Sequence, residues 1–268
     1  MLESSRNGYC AANISDFYVL VLRGLSWCAL VGHCLVRLSE PSEVSKSNCE
    51  YYNARGVKML NTILLIGLSG AILMFIGDMV LYYSKEDYVA DGSLNPIINI
   101  MKTESRTRLY IGGIIGPVAA FLYCIGFYHL VLIMNEQYQI WGWGCFLINC
   151  LGIICGGAYH SHYAYFGLIG RHDNVITLGE VHKYLDIQKA VAFGLQGIGF
   201  LLIAIFIVLK WTVFPRWIMA VSPGILFLLS PLTRKLPKGL HMIISGGWTN
   251  LISVIYYGVA LIFWYFYL

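Results

Sequence analysis

Ionisable and strongly polar side chains interrupt several long apolar stretches of this sequence. Asp78 lies near the end of the stretch 59–83, and His160 and His162 lie within the stretch 140–169. Such side chains are costly to place in hydrocarbon, so each is a candidate functional group. Carboxylates and imidazoles can bind or transfer protons, and together they can hold zinc. The other polar or amphipathic candidates in such stretches are Gln196, His241, Trp248 and Asn250.

The candidates share one end of the stretches that carry them. If successive stretches cross a membrane in alternating directions, Tyr83 and Leu109 lie on one side, here called side B, and Met59 lies on the opposite side A. His129 falls near side A and is the exception. We therefore predict a polar cavity in the side B half, which could bind a small molecule or a lipid. Its predicted lining is Asp78, His160, His162, Gln196, His241, Trp248 and Asn250.

Besides a substrate or proton site without a metal, two interpretations of the Asp and His residues remain open. Asp78, His160 and His241 could bind zinc, because nitrogen and carboxylate ligands suit that ion. His162 would not join the same metal, because residues two apart on a helix point about 200° apart. The other interpretation is a hydrogen-bonded His–Asp pair that joins two helices. We expect no bound cofactor, with zinc as the alternative.

The composition indicates the environment of these residues. Hydrophobic residues make up 58% of the 268 residues and charged residues 12%, against about 25% charged in soluble domains. This excludes a soluble enzyme, a disordered chain and a secreted disulfide scaffold. The expected surroundings are a lipid bilayer. The net charge of +4 comes from scattered bases, which does not favour nucleic-acid binding.

The sequence predicts an all-α polytopic transmembrane helical bundle with seven spans, six being the alternative. A span needs about 20 apolar residues. The N-terminal segment 1–58 carries a first span at 17–38, which contains Arg23 and His33, and the core 59–268 carries six. Five core stretches are clear, and the sixth, at 213–232, contains three prolines. The five are 59–83, 109–134, 140–169, 190–209 and 240–268.

Charge between the stretches predicts the orientation. The side B loops carry most of the lysines and arginines, whereas the short side A loops of the core carry Lys210 and Arg216. Basic loops stay in the cytoplasm, so side B is predicted to be cytoplasmic. With seven spans, the N-terminus of this integral membrane protein is cytoplasmic as well.

Four short motifs resemble a family of uncharacterised multi-pass integral membrane proteins. The resemblance runs from about Met59 to the C-terminus. It implies the same membrane core and brings no known activity. The motifs are Ile76-Gly-Asp-Met-Val-Leu-Tyr-Tyr83, Gly112-Gly-Ile-Ile-Gly-Pro117 continuing to Phe127-Tyr-His129, Gly156-Gly-Ala-Tyr-His160 and Ser245-Gly-Gly-Trp-Thr-Asn250.

The chain is also similar to the seven-span metal-dependent amide hydrolases of the alkaline ceramidase type. The similarity lies in the number of spans and in an intramembrane Asp accompanied by several His residues. The chain departs from that pattern because its last stretch has no His-x-x-x-His and because His129 falls near side A.

Three classes of function follow. The leading class is a transporter or receptor-like protein that binds a small molecule or a lipid in the polar cavity. The alternative is an intramembrane metal-dependent lipid hydrolase that uses Asp78, His160 or His162, and His241. The third is a structural or assembly protein without a ligand. Whether the chain is an enzyme, and its oligomeric state, are left undecided by the sequence.

Overall fold

A computed structural model describes residues 54–84, 95–172, 174–233 and 235–267. The predicted first span at 17–38 lies outside these residues. Within them the fold is all-α. The helices are α1 (Ala54–Tyr82), α2 (Asn95–Thr103), α3 (Arg106–Phe127), α4 (His129–Leu132), α5 (Gln139–Gly170), α6 (Val175–Val208), α7 (Pro223–Phe227), α8 (Ser230–Thr233), α9 (Lys238–Gly246) and α10 (Trp248–Tyr267).

Five helical stretches in the described part of the chain are long and apolar enough to cross a membrane. Each overlaps one of the five clear stretches predicted from the sequence, and this architecture fits an integral membrane protein. The stretches are Lys58–Tyr82, Arg106–Leu132, Glu136–Gly170, Ile176–Val208 and Trp248–Tyr265.

The predicted sixth span at 213–232 is not one continuous helix. It is divided into the 3-10 segment Arg216–Val221, α7 and α8. Pro215 precedes the 3-10 segment, and Pro223 is the first residue of α7. Proline lacks the N–H that an α-helix interior requires, so it begins or ends helices rather than continuing them. The described residues therefore support five of the seven predicted spans.

The last apolar stretch also differs from its prediction as a single span over 240–268. It consists of α9 and α10, which are separated at Gly247. The Gly247 N–H still donates to Ile243 O at 3.2 Å, and the Asn250 N–H donates to Gly247 O at 3.0 Å. The break therefore lies immediately before the first turn of α10.

The long helices pack in sequence order. α1 packs along α3, α3 along α5 and α5 along α6, while α10 returns to α1. Small residues allow close crossings without side-chain interdigitation. Gly116 of α3 faces Gly157 of α5, since a Cβ atom added to Gly116 would lie 2.9 Å from Gly157 O. Large apolar side chains on the outer faces are exposed, as expected for contact with lipid. Examples are Ile114, Phe121, Leu147, Leu151 and Ile262.

Arg108 joins the side B ends of α1 and α3. Its Nε donates to Val80 O at 2.5 Å, and its Nη2 donates to Tyr83 O. These carbonyls belong to the end of α1, where no later N–H of the helix can reach them. Arg108 also forms an ion pair with Glu104. A charged side chain from α3 thus caps the C-terminus of α1.

Replacing Arg108 by leucine should lower the free energy of unfolding by about 1.5–3 kcal/mol, because hydrogen bonds to a charged donor are lost. The measurement is unfolding in mixed detergent micelles followed by far-UV circular dichroism. The matched control is leucine at Arg106, which is exposed at the start of the same helix. Equal stability losses in the two variants would show that the cap does not stabilise α1.

Candidate functional site

Asp78 of α1 and His160 of α5 form a contact in the interior of the bundle. His160 Nδ1 lies 3.1 Å from Asp78 Oδ1. The two residues are only 8% and 7% exposed. Ionisable groups at this level of burial need a partner, because an unpaired charge loses its hydration without compensation. The contact supplies that partner across the helix interface.

The other side of the imidazole is held by the backbone of α3. His160 Nε2 donates to Gly112 O at 3.0 Å, since a carbonyl oxygen can only accept. Gly116 makes room for the ring, because a Cβ atom at that position would lie 2.7 Å from His160 Cδ2. Gly77 does the same from α1, with a Cβ atom 2.9 Å from Nε2. Glycines on two helices thus leave the ring a single position.

Asn250 and Tyr123 extend the contact into a network. Asn250 Nδ2 donates to Asp78 Oδ2 at 2.7 Å. The Tyr123 hydroxyl donates to Asn250 Oδ1 at 3.2 Å. Asn250 lies in the first turn of α10, directly after the break at Gly247. Hydrogen bonds thus connect Tyr123 to Asn250, Asn250 to Asp78, and His160 to the Gly112 carbonyl. The 3.1 Å contact between Asp78 and His160 joins these groups, which belong to α1, α3, α5 and α10.

Two other candidates bond elsewhere along α5 and α6. His162 Nδ1 lies 2.8 Å from Gln188 Oε1, and its ring stacks on Tyr165. Gln196 Nε2 donates to Asn149 O at 2.7 Å. Both residues form hydrogen bonds between α5 and α6, whereas the Asp78 network lies among α1, α3, α5 and α10.

His241 and Trp248 lie in the two parts of the last apolar stretch. His241 is a buried residue of α9. Trp248 is the first residue of α10, and its buried indole Nε1 has no hydrogen-bond partner within the described residues. Among those residues, no three His, Cys, Asp or Glu side chains are grouped so that they could hold a metal ion.

The sequence analysis did not identify Tyr123 or the Gly112 carbonyl. Tyr123 lies in an apolar stretch, where a tyrosine commonly packs as an aromatic side chain, and no sequence signal shows where its hydroxyl points.

A second buried network surrounds His129, the exception near side A. His129 Nε2 lies 2.9 Å from the Tyr256 hydroxyl, and Nδ1 lies 2.6 Å from Gly126 O.

Comparison with known proteins places the chain in a family. No curated protein and no solved structure matches it significantly. A family match covers residues 53–267, most of the chain and all of the Asp78 network. The chain therefore belongs to DUF6796, a family of unknown function.

Proposed function

We propose that this chain is a membrane transport protein that binds a small molecule or a lipid in a polar cavity at the cytoplasmic, side B half of the bundle. The observation that carries the proposal is the buried Asp78–His160 pair, tied to Asn250 and Tyr123. Ionisable residues inside membrane helices mark substrate or ion pathways by default.

The composition of the network favours a binding role over simple helix joining. One hydrogen bond between neutral side chains is sufficient to join two helices. This network instead concentrates a carboxyl group, an imidazole and a carboxamide within hydrogen-bond distance of one another. These groups supply both donors and acceptors, which a polar substrate or lipid head group would engage by replacing bonds that the groups now make to one another.

The break at Gly247 supports transport in particular. Transporters place binding groups at interrupted helices, where the two parts can move relative to each other. Asn250 lies in the first turn after this break, and it holds Asp78 directly. A change in the angle between α9 and α10 would therefore move Asn250, whose side chain donates a hydrogen bond to the Asp78 carboxylate. Such a movement would give a substrate access to groups that are buried in the structure described above.

The basic residues support the cytoplasmic placement of the side B half. Positive side chains lie near the side B ends of α3, α5 and α6, whereas Lys58, Lys210 and Arg216 lie near the opposite ends of the helices. Positively charged loops remain in the cytoplasm. Those described on side B are Lys102, Arg106, Arg108, Arg171, Lys183, Lys189 and Lys235.

Native mass spectrometry of the chain, purified in a mild detergent, tests the proposal. We expect the wild-type chain to retain a small molecule or a lipid through purification. The Asp78→Asn variant should retain about tenfold less, which corresponds to about 1.4 kcal/mol of binding free energy. The asparagine keeps the size of the side chain and removes its ability to carry a negative charge.

The matched control is Glu180→Gln, which makes the same chemical change at an exposed position of α6. It should retain the bound species at the wild-type level. A wild-type chain that carries no bound species would contradict the proposal and favour a structural role. Equal retention by wild type and Asp78→Asn would place the binding site elsewhere.

A further inference from the structure

We infer that the ion that drives transport is a proton, held between Asp78 Oδ1 and His160 Nδ1. The inference rests on the proposed transport function for the coupling, whereas the proton site itself follows from the short contact between the two residues and from the hydrogen bond that fixes the imidazole ring. The relevant contacts are the 3.1 Å pair and the 3.0 Å bond from His160 to Gly112 O.

The Gly112 carbonyl determines which imidazole nitrogen carries a fixed proton. A backbone carbonyl has no hydrogen to donate, so His160 Nε2 must be the donor. Gly77 and Gly116 fit closely against the ring, which opposes its rotation. Nε2 therefore keeps its hydrogen in every protonation state of this arrangement. Any proton that the pair gains or loses is the one between Nδ1 and Asp78.

The contact with Asp78 then requires one further proton. With Nε2 protonated, a neutral imidazole presents a lone pair at Nδ1, and a carboxylate presents lone pairs at Oδ1. Two lone pairs 3.1 Å apart repel each other, so a hydrogen between these atoms is needed for attraction. Asn250 Nδ2 already donates to Asp78 Oδ2, which leaves Oδ1 as the oxygen that can carry this proton.

The charge balance of the site follows directly. With the proton on Nδ1, the pair is an imidazolium and a carboxylate. With the proton on Oδ1, the N–H bond has been broken, an O–H bond has formed, and the pair is a neutral imidazole and a carboxylic acid. Both forms have zero net charge. Release of the proton leaves a net charge of −1 and removes the attraction between α1 and α5 at this point.

The same contacts oppose an alkali metal ion as the driving ion. Hard cations are bound by several oxygen atoms that have free lone pairs directed at them. Here Asp78 Oδ2, Asn250 Oδ1 and the Gly112 carbonyl each accept a hydrogen bond from a neighbour. A cation would have to displace these donors and would still face a nitrogen at His160. A proton fits without rearrangement.

Titratable groups near this end of α1 belong to α1, α3, α5 and α9. Tyr123 belongs to α3 and interacts electrostatically with Asp78. Tyr159 neighbours His160 on α5, and Tyr82 lies one turn beyond Asp78 on α1. The remaining groups are the buried His241 of α9 and the Arg108 guanidinium, which is bound to the end of α1.

Nitrogen-15 NMR of the histidine-labelled full chain in lipid bilayers tests this inference. His160→Gln assigns the His160 signals. We expect Nε2 to stay protonated over the whole pH range in which the chain is folded. We expect the Nδ1 signal to change in a single step as the pair releases its proton at high pH, whether that proton lies on Nδ1 or on Oδ1. In Asp78→Asn this step should disappear, because the amide N–H can donate to a neutral Nδ1 and has no proton to release.

His162 is an internal control for the same spectra. Its Nδ1 faces the Gln188 amide rather than a carboxyl group, so its signals should be unchanged by Asp78→Asn. A His160 ring that is unprotonated at Nε2, whose Nδ1 signal does not change with pH, or whose Nδ1 signal changes identically in Asp78→Asn would overturn the inference. If Asp78→Asn does not fold, the wild-type Nε2 and Nδ1 signals decide the matter alone.

The two proposals can fail independently. Failure of the NMR result with retention of a bound species in mass spectrometry would leave a transport protein that is not driven by protons at this pair. A titrating pair in a chain that retains no bound species would leave a proton site and remove the proposed transport function.

Discussion

Replacing Asp78 by leucine is expected to lower the free energy of unfolding of the helical core by about 3–5 kcal/mol, because it removes one member of a buried ion pair. The leucine leaves His160 Nδ1 and Asn250 Nδ2 facing an apolar side chain. Both atoms are buried in the interior of the bundle and lose their shared acceptor. The measurement is reversible unfolding in mixed detergent micelles, followed by far-UV circular dichroism.

Asp78→Asn should be far milder, with a loss within about 1 kcal/mol. An asparagine can accept from Asn250 Nδ2 with its oxygen and can donate to a neutral His160 Nδ1 with its amide nitrogen. Both contacts of this side chain, with Asn250 and with His160, are then retained. The contrast between leucine and asparagine at one position therefore separates loss of hydrogen bonding from loss of charge.

An exposed ion pair provides the control for this result. Glu180 and Lys183 lie 2.9 Å apart on the surface of α6, and Glu180→Leu should change stability by less than about 1 kcal/mol. If Asp78→Leu were as mild as Glu180→Leu, the Asp78 network would not stabilise the bundle. If Asp78→Asn were as severe as Asp78→Leu, the carboxylate charge itself would be required for folding.

The helical architecture was predictable where hydropathy and length agree. Five long apolar stretches became helices of spanning length, because a helix satisfies its own backbone polar groups in hydrocarbon. The stretch 213–232 has a similar apolar composition, but Pro215, Pro223 and Pro231 divide it. A hydropathy average does not show where proline removes a backbone N–H group. The stretch 213–232 was therefore predicted as one span, although the fold divides it into short segments.

The functional candidates show what position along a helix can and cannot predict. Asp78, His160 and Asn250 were expected to lie near one another because they fall at similar depths, and the structure brings these three together. His162 and Gln196 fall at comparable depths but lie on the faces between α5 and α6. Depth follows from counting residues, whereas the direction of a side chain depends on how each helix is rotated against its neighbours.

The relative directions of the His160 and His162 side chains could be predicted, because both residues belong to one helix. Two positions on a regular helix differ by about 200° in direction, so the sequence predicted that the pair would not converge on one metal ion. In the structure His160 faces α1 and α3, whereas His162 faces α6. Spacing within one helix is thus informative about direction, and spacing between helices is not.

Replacing Gly116 by alanine should destabilise the bundle by about 1–3 kcal/mol, the usual effect of overpacking an interior. The added Cβ atom would lie 2.9 Å from Gly157 O, which is backbone and cannot rotate away. It would also lie 2.7 Å from His160 Cδ2. Helices α3 and α5 must separate to accommodate it, and His160 must shift away from Gly112 O. Unfolding in mixed detergent micelles measures the loss.

Gly144→Ala is the matched control, since Gly144 lies in α5 and a Cβ atom there has no neighbour within 4 Å. This variant should be neutral or more stable by up to about 1 kcal/mol, because alanine is the better helix former. If Gly116→Ala is destabilising and Gly144→Ala is not, helix propensity cannot account for the difference, and the contact with Gly157 and His160 must. Equal behaviour of the two variants would mean that α3 and α5 do not cross closely at Gly116. His160 would then lose the geometric constraint that directs its Nδ1 towards Asp78.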